Sequence, residues 1–338
     1  MKIVRELGSI VLVAGVTCLV GVILVLSVGA DPGKAFKAFF SGIFGSFYSF
    51  TEVLVRATPL ILAGLGVAVA FQARFFNIGA EGQLYMGAVA ATWAGLYLPP
   101  MPVFIHLTLC MTAGFLLGGA WALVPGILKS QYNIPEVINT IMFNYIAINI
   151  VGILVGTVMA DPASSLPMSP RLPDYLHLPF LALPTRLHAG LIVALACAAL
   201  TYLFLYKTTW GFELRAVGMN PRASDCSGIS VKKNIIVSSL ASGGLAGLAG
   251  GSEILGVHGR LMSGISPEFG YVAIIVALLG RNHPLGVVFA GLGIAALQIG
   301  ATTMQRRAGV PASISLIIMG LLVILILGRH YWIKSRTK

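Results

Sequence analysis

The sequence predicts an all-α membrane protein with about ten transmembrane helices, some of them broken or re-entrant. Its 338 residues are 57% hydrophobic and only 10% charged, whereas an average soluble domain is about 25% charged. Apolar runs of about 20 residues, the length that crosses a bilayer, fill most of the chain. We therefore expect residues 1–338 to form a single transmembrane domain.

The placement of charge supports this fold class. The 22 lysines and arginines outnumber the 11 aspartates and glutamates, and they are scattered over short connections between the apolar runs. The positive-inside rule produces this pattern. We therefore expect a multi-pass protein of the cell (inner) membrane, embedded in the lipid bilayer, with no nucleic-acid partner.

The first span is predicted from Leu7 to Ala30, after Lys2 and Arg5. This run is longer than the apolar core of about 7 to 15 residues in a signal peptide, so we expect it to be retained. Asp31 and Pro32 then form a helix start, with the carboxylate as cap and proline at the first helical position. Phenylalanines follow at helical spacing, which predicts an amphipathic helix at the outer interface.

A polar interruption, Arg74 to Gln83, separates the second and third predicted spans. A continuous helix would place Arg74, Asn77, Glu81 and Tyr85 on one face. A helix broken at Gly79 and Gly82 would leave backbone groups that lipid cannot satisfy and that must line a cavity. An ordinary turn at the interface is the third possibility. Because intramembrane polar side chains mark solute pathways, we expect a substrate pathway bordered by Asn77, Glu81, Gln83 and Tyr85.

The middle of the chain contains three further spans. A proline-rich turn at Pro99–Pro102 predicts span four over 103–128, and span five follows over 135–159. Asp161 to His188 holds six prolines, so it cannot continue a helix and is predicted to be an external loop. Span six is predicted over 189–206.

Residues 207–233 form the most strongly basic loop and are predicted to be cytoplasmic. Asn220 and Pro221 are a helix start, and Gly228 can close the C-terminus. Gly218 is expected to bend freely before this short helix. A helix of under two turns is unstable alone, so it either docks on the membrane domain or a partner, or the segment is a solvated loop.

The last third begins with span seven over 235–257, where Gly243, Gly247 and Gly251 predict close helix packing. The apolar run 271–280 is only about half a bilayer long as a helix, so it either crosses or re-enters. If it crosses, spans over 285–304 and 312–328 complete ten crossings with both termini cytoplasmic; if it re-enters, the C-terminus is outside. The basic residues after 328 favour the crossing.

Enzyme signatures are absent from the sequence. It contains no H-E-x-x-H metal motif, no G-x-S-x-G nucleophile elbow and no phosphate-binding G-x-x-x-x-G-K-[ST] loop. Its four cysteines include no C-x-x-C pair, and its six histidines are dispersed. We expect neither catalytic residues nor a metal or other cofactor, and any ATP hydrolysis that drives transport must take place on another chain.

Three separated segments resemble a known family. They are Phe76–Gln83, Ala216–Pro221 and Gly270–Gly286, named the first, second and third motifs. In this order they resemble the permease subunits of ABC importers for simple sugars and nucleosides, a group related to the ribose and branched-chain amino acid permeases. The resemblance covers nearly the whole chain. It implies a permease that passes a small polar solute, most plausibly a nucleoside or simple sugar, by alternating access.

The resemblance also implies partners: cytoplasmic ATPase subunits, a second permease subunit that is similar or identical, and an external solute-binding protein. It implies that the helix at 221–228 couples the permease to the ATPase, and the residues expected to act in coupling are Gly218, Asn220, Pro221, Arg222, Asp225 and Gly228. Ser224 to Ser227 depart from the small and aromatic residues more usual in the family. The alternative hypothesis is a self-sufficient secondary transporter in which Glu81 or Glu253 carries a proton.

Overall fold

The structure is a computed structural model that describes residues 2–311 and, beyond them, residues 313, 314, 316–318, 320, 321, 324, 325 and 328, with side chains from residue 15 onward. The predicted final span over 312–328 and the basic residues after it therefore lie largely or wholly outside the described residues. The described helices are α1 Lys2–Ser27, α2 Pro32–Phe44, α3 Phe47–Gln72, α4 Ala80–Tyr97, α5 Val103–Tyr132, α6 Glu136–Gly156, α7 Gly190–Lys207, α8 Thr209–Met219, α9 Pro221–Cys226, α10 Val231–Glu253, α11 Phe269–Leu279 and α12 Pro284–Ala308.

The predicted fold class, an all-α membrane protein, is confirmed. Among the described residues, six helices are long and apolar enough to cross a membrane: α3, α5, α6, α7, α12 and α10 with the π-helical turn Ile254–His258 that extends it. Gly15–Ser27 of α1 and α2 form a seventh such segment if the pair, bent by 119°, counts as one span. The total of ten crossings stays a prediction.

The chain divides into two compact units, one formed by Met1–Arg56 with Leu292–Lys338 and the other by Ala57–Gly291. In the first unit, the predicted start of α2 is confirmed, since Asp31 Oδ1 accepts hydrogen bonds from the N–H groups of Gly33 and Lys34. The core of this unit contains Val25, Ala35, Met304, Val310 and Ile314. A single domain over 1–338 stays a prediction.

The second unit is built around α4, α5 and α10, whose backbones approach closely at glycines. A side chain at Gly87 or Gly118 would overlap the backbone of Gly247, and one at Gly243 would overlap Gly118. Small residues permit this approach, and van der Waals packing replaces the hydrophobic driving force that lipid removes. The packing role predicted for the α10 glycines is confirmed.

The predicted external loop is irregular apart from the 3-10 turn Asp174–Leu176. Its backbone is bonded to the end of α10, because the N–H groups of Ser169, Leu172 and Leu178 donate to carbonyls at Leu261, Gly259 and Leu255 over 2.8 to 2.9 Å. The loop is therefore an ordered cap, which we name the outer cap (residues 157–189).

His188 fixes the junction of the outer cap with α7. Its side chain is 1% exposed, and its Nδ1 accepts a hydrogen bond of 3.1 Å from the Gly190 N–H. Burial, with a smaller contribution from nearby His177, lowers the pKa of His188 to about 4. The ring is therefore neutral at physiological pH, as its role as an acceptor requires.

The segment after α10 bears on whether α11 crosses the second unit or re-enters. The Gly259 carbonyl accepts a hydrogen bond from the outer cap. The Asn282 carbonyl, just after α11, accepts a hydrogen bond from Gln72, and α8 packs against Gln72. The outer cap precedes α7 and α8 follows it, so these two regions lie at opposite ends of that helix. Residues 259–282 therefore run from one end of the unit to the other, which favours the crossing interpretation over re-entry.

We predict that the outer cap and α9 lie on opposite sides of the membrane. Leu183 is 79% exposed in the cap, and the native Cys226 is exposed on α9. In intact cells an impermeant maleimide should label Leu183→Cys, whereas it should reach Cys226 only after the membrane is permeabilised; Leu183→Cys in a Cys226→Ser background separates the two signals. Labelling of Cys226 from outside would contradict the predicted topology.

Candidate functional site

The first motif is a broken helix. α3 ends at Gln72, α4 begins at Ala80, and the residues between them are not helical. Arg74 adopts a left-handed φ of 56° and is exposed, whereas Asn77 and Glu81 are buried. The prediction of a continuous helix with a shared polar face is therefore wrong. A break is present, but it covers residues 73–79 and Gly82 lies inside α4. That the backbone groups of the break line a cavity stays a prediction.

Asn77 and Gln83 form a reciprocal amide pair across the break. Asn77 Nδ2 donates to Gln83 Oε1 over 2.8 Å, and Gln83 Nε2 donates back to Asn77 Oδ1 over 2.9 Å. Asn77 also accepts from the Gly79 N–H and donates to the Ser242 hydroxyl of α10. The amide of Asn77 thus replaces backbone partners that a continuous helix would have supplied.

Asn144 of α6 supplies further hydrogen-bond partners to the backbone at the break. Its Oδ1 accepts from the Gly82 N–H over 2.8 Å, and its Nδ2 donates to the Ile78 carbonyl over 2.9 Å and to the Tyr271 hydroxyl over 3.2 Å. Nothing in the spacing of Asn139, Asn144 and Asn149 along α6 distinguishes Asn144 from the other two. Its importance follows from tertiary contacts alone.

Glu81 bonds α4 to the start of α11. Its Oε2 accepts a hydrogen bond of 2.6 Å from the Gly270 N–H, and the Ser266 side chain bonds the same carboxylate. A side chain at Gly270 would overlap the backbone of Ala80 and Glu81. A carboxylate at a helix N-terminus is favourable, because unpaired N–H groups and the helix dipole both point toward it.

The four predicted pathway residues lie together on or beside this network. Asn77 is 0%, Gln83 1%, Glu81 2% and Tyr85 3% exposed. Tyr85 lies one turn beyond Glu81 on α4, near Ser266 and Tyr271. In this conformation Asn77 and Gln83 bind each other, Glu81 binds the Gly270 backbone, and all four side chains are buried.

Residues 207–233, which are predicted to contain the coupling helix and are called the coupling segment below, contain two helices rather than the one predicted. The predicted start of α9 is confirmed, since Asn220 Oδ1 accepts from the Ala223 N–H and Gly228 has a left-handed φ of 81°. Arg222 and Asp225 are exposed on α9. The additional helix, α8, begins at Thr208, whose hydroxyl accepts from the Gly211 N–H, a start signal that was visible in the sequence.

Gly218 does not act as a free bend, and that prediction is wrong. It lies inside α8, and a side chain there would overlap the carbonyl oxygen of Gln72, the last residue of α3. Gln72 Nε2 in turn donates to the Asn282 carbonyl over 3.1 Å. Gln72, four residues before the first motif, therefore contacts both the second and the third motif.

The opposite end of α8 is anchored independently. Arg215 lies over the Tyr206 ring at 4.8 Å, and the His283 ring contacts Tyr202 and Tyr206 with centroids 5.8 and 5.3 Å apart. Asn234 of α10 donates to Glu213 over 3.4 Å. The coupling segment is thus fixed to α7 and to α10, and α7 in turn contacts the turn between α11 and α12.

Comparison with known proteins identifies the family. Residues 49–327 match the family described as the permease component of the branched-chain amino acid transport system. The chain belongs to this permease family. It is therefore a multi-pass membrane permease subunit of an ABC importer, as its sequence predicted, and the family does not favour a self-sufficient secondary transporter.

Several relatives are transporter permeases. The guanosine ABC transporter permease NupP of Bacillus subtilis is 40% identical, covering 90% of this chain and 88% of NupP. The glucose ABC transporter permease TsgB13 of Haloferax volcanii is 35% identical, covering 98% and 89%. A further guanosine permease of Bacillus subtilis, NupQ, is 25% identical, covering 71% and 77%.

We predict that Asn77→Ala and Glu81→Gln lower solute uptake while the permease still assembles in the membrane. Asn77→Ala leaves several buried partners unpaired, and each costs about 1 to 3 kcal/mol, so uptake should fall by about tenfold or more. Glu81→Gln retains a weaker acceptor for Gly270 and should have the smaller effect.

The matched control is Thr92→Val on the same helix, because the buried Thr92 hydroxyl donates only to Ala88 within α4. Uptake should be measured in vesicles containing equal amounts of assembled permease. Unchanged uptake in both Asn77→Ala and Glu81→Gln would reduce the network to a dispensable turn.

Proposed function

We propose that this permease imports a nucleoside, with a simple sugar as the alternative solute. The support is the 40% identity to a guanosine permease across 90% of the chain, against 35% identity to a glucose permease. The chemistry of the network fits both classes of solute, because amides, a carboxylate and tyrosines can bind the hydroxyl groups that nucleosides and sugars share.

The solute is tested by uptake into proteoliposomes that contain the complete importer and its external binding protein. We expect ATP-dependent accumulation of labelled guanosine that excess unlabelled nucleoside prevents and excess glucose does not. Accumulation of labelled glucose with none of guanosine would overturn the nucleoside assignment and leave the importer assignment unaffected.

We propose that the importer contains this chain, a second and different permease, cytoplasmic ATPase subunits and an external binding protein. The presence of two guanosine permeases in Bacillus subtilis, one much more similar to this chain than the other, supports a pair of unlike permeases. The exposed face of α6, which carries Tyr145 and Asn149, suits contact with a second permease or with water, because lipid does not satisfy an asparagine side chain.

We propose that Asn77, Glu81, Gln83 and Tyr85 border the solute pathway and are closed to it in the conformation described. Opening requires the Gly270 N–H to leave Glu81, so that the start of α11 moves away from α4. Alternating access needs two conformations of comparable free energy, and a short helix held at its start by one carboxylate can supply the second.

We propose that α9 transmits ATPase motion to the permease. The helix is capped and presents Arg222 and Asp225 outward, while Ser224 is 5% exposed and faces the permease. A helix of this length does not persist unless another surface supports it. A second surface, that of the ATPase, is therefore expected on its exposed side.

Charge reversal at this surface should impair coupling more than loss of the cap does. Arg222→Glu or Asp225→Arg would place like charges against complementary groups of the ATPase, whereas Asn220→Ala should weaken the cap by about 1 kcal/mol. The measurement is ATP hydrolysis by the reconstituted importer with saturating binding protein. Equal stimulation in all three variants and the unsubstituted protein would show that another segment contacts the ATPase.

A further inference from the structure

We propose that Gln72 is a positioning residue that transmits the movement of α8 to α11, and so connects the coupling segment to the polar network. This inference rests on the proposed coupling role of residues 207–233. It assigns the step inside the permease, between the ATPase-facing helix and the helix that closes over Glu81.

The first observation is the contact between α8 and Gln72. No atom separates the Gly218 Cα from the Gln72 carbonyl oxygen, because even a methyl group at Gly218 would overlap it. Two backbones in direct contact cannot yield by a change of side-chain rotamer. A displacement of α8 toward α3 must therefore move Gln72, or else separate the two helices.

The second observation is the hydrogen bond from Gln72 Nε2 to the Asn282 carbonyl, 3.1 Å long. Asn282 belongs to a tight turn in which Arg281 and Asn282 both have left-handed φ angles, and its own N–H donates to Ala277 of α11 over 2.8 Å. The turn is therefore joined to the C-terminal end of α11. Gln72 donates a side-chain hydrogen bond to that end, beside the contact of the His283 ring with Tyr202 and Tyr206 of α7.

The third observation is that α11 is held at its other end by Glu81. The two bonds come from the two sides of one break, since Gln72 ends α3 and Glu81 lies in the first turn of α4. α11 is only 11 residues long and buries Phe269, Val272, Ala273 and Val276. A short rigid helix held at both ends moves as a unit, so a shift at Asn282 reaches Gly270.

A hydrophobic contact stabilises the same junction. Phe75, 0% exposed, packs with Ala70 of α3 and Ile235 of α10, and Val231 packs against this cluster. It fixes the backbone just after Gln72 to the start of α10, where the coupling segment ends. Gln72 therefore has a defined position relative to α8, and its side-chain Nε2 donates to the turn at the end of α11.

The test compares the movements of α8 and α11 in the complete importer. Two pairs of spin labels are introduced in separate proteins. One pair is Leu278→Cys on α11 with Leu240→Cys on α10, and the other is Met219→Cys on α8 with the same Leu240→Cys. All three side chains are exposed. The four native cysteines are first replaced by serine or alanine. Distances are measured in nanodiscs without nucleotide and after trapping with ATP and vanadate.

The test variant is Gln72→Met, which keeps an unbranched side chain of similar length and removes the donor. In the unsubstituted background both label pairs should change distance on trapping. In Gln72→Met the α8 pair should still change, the α11 pair should not, and solute imported per ATP hydrolysed should fall by about fivefold, the effect of one lost hydrogen bond. Gly152→Ala, which adds a methyl group in open space on α6, is the control for expression and should behave as the unsubstituted protein.

The outcomes separate the inference from the proposed function. If α11 moves equally in Gln72→Met, Gln72 does not transmit the motion and the inference is overturned. If α8 itself does not move in the unsubstituted importer, the coupling role of residues 207–233 fails. Should Gln72→Met not assemble, Gly218→Ala takes its place: displacing α8 from Gln72 should also abolish the α11 change, and an unaltered α11 change would again refute the inference.

Discussion

The structure depends on hydrogen-bond partners for the backbone N–H groups at interrupted helices, because lipid cannot supply such partners. α4 and α11 begin inside the second unit, and each start leaves N–H groups without helical partners. Side chains supply them: Glu81 accepts from Gly270, Asn144 accepts from Gly82, and Asn77 accepts from Gly79. These residues draw α4, α6, α10 and α11 together, so the polar network that borders the proposed pathway is also what holds the helices in place.

The glycine contacts make this arrangement geometrically possible. Close approach of α4, α5 and α10 at Gly87, Gly118 and Gly247 leaves a packed core with little freedom. The start of α11 is attached to that core by the Glu81 hydrogen bond and the backbone contact at Gly270. The coupling segment is attached to it by the hydrogen bond from Asn234 of α10 to Glu213. A rigid core with separately attached elements suits alternating access, because attached elements can move while the core keeps the barrier to the solute intact.

Local chemistry in the sequence predicted the features that depend on neighbouring residues. The caps at Asp31 and Asn220, the break at the first motif and the irregular outer cap all follow from side chains close along the chain. The errors concern distant contacts. A glycine that bends a chain and one that packs on another helix look alike in sequence, so the prediction that Gly218 bends freely is wrong. The roles of Asn144 and Gln72 come from partners on other helices and could not be derived from spacing.

The central claim is that α11 leaves Glu81 during the transport cycle while the glycine-packed core stays closed. Hydrogen exchange of the reconstituted importer, followed by mass spectrometry, tests this most directly. On trapping with ATP and vanadate, the peptide containing Gly270 should exchange faster, whereas the peptide containing Gly243 and Gly247 should remain equally protected. Unchanged protection at Gly270 in every nucleotide state would contradict the account.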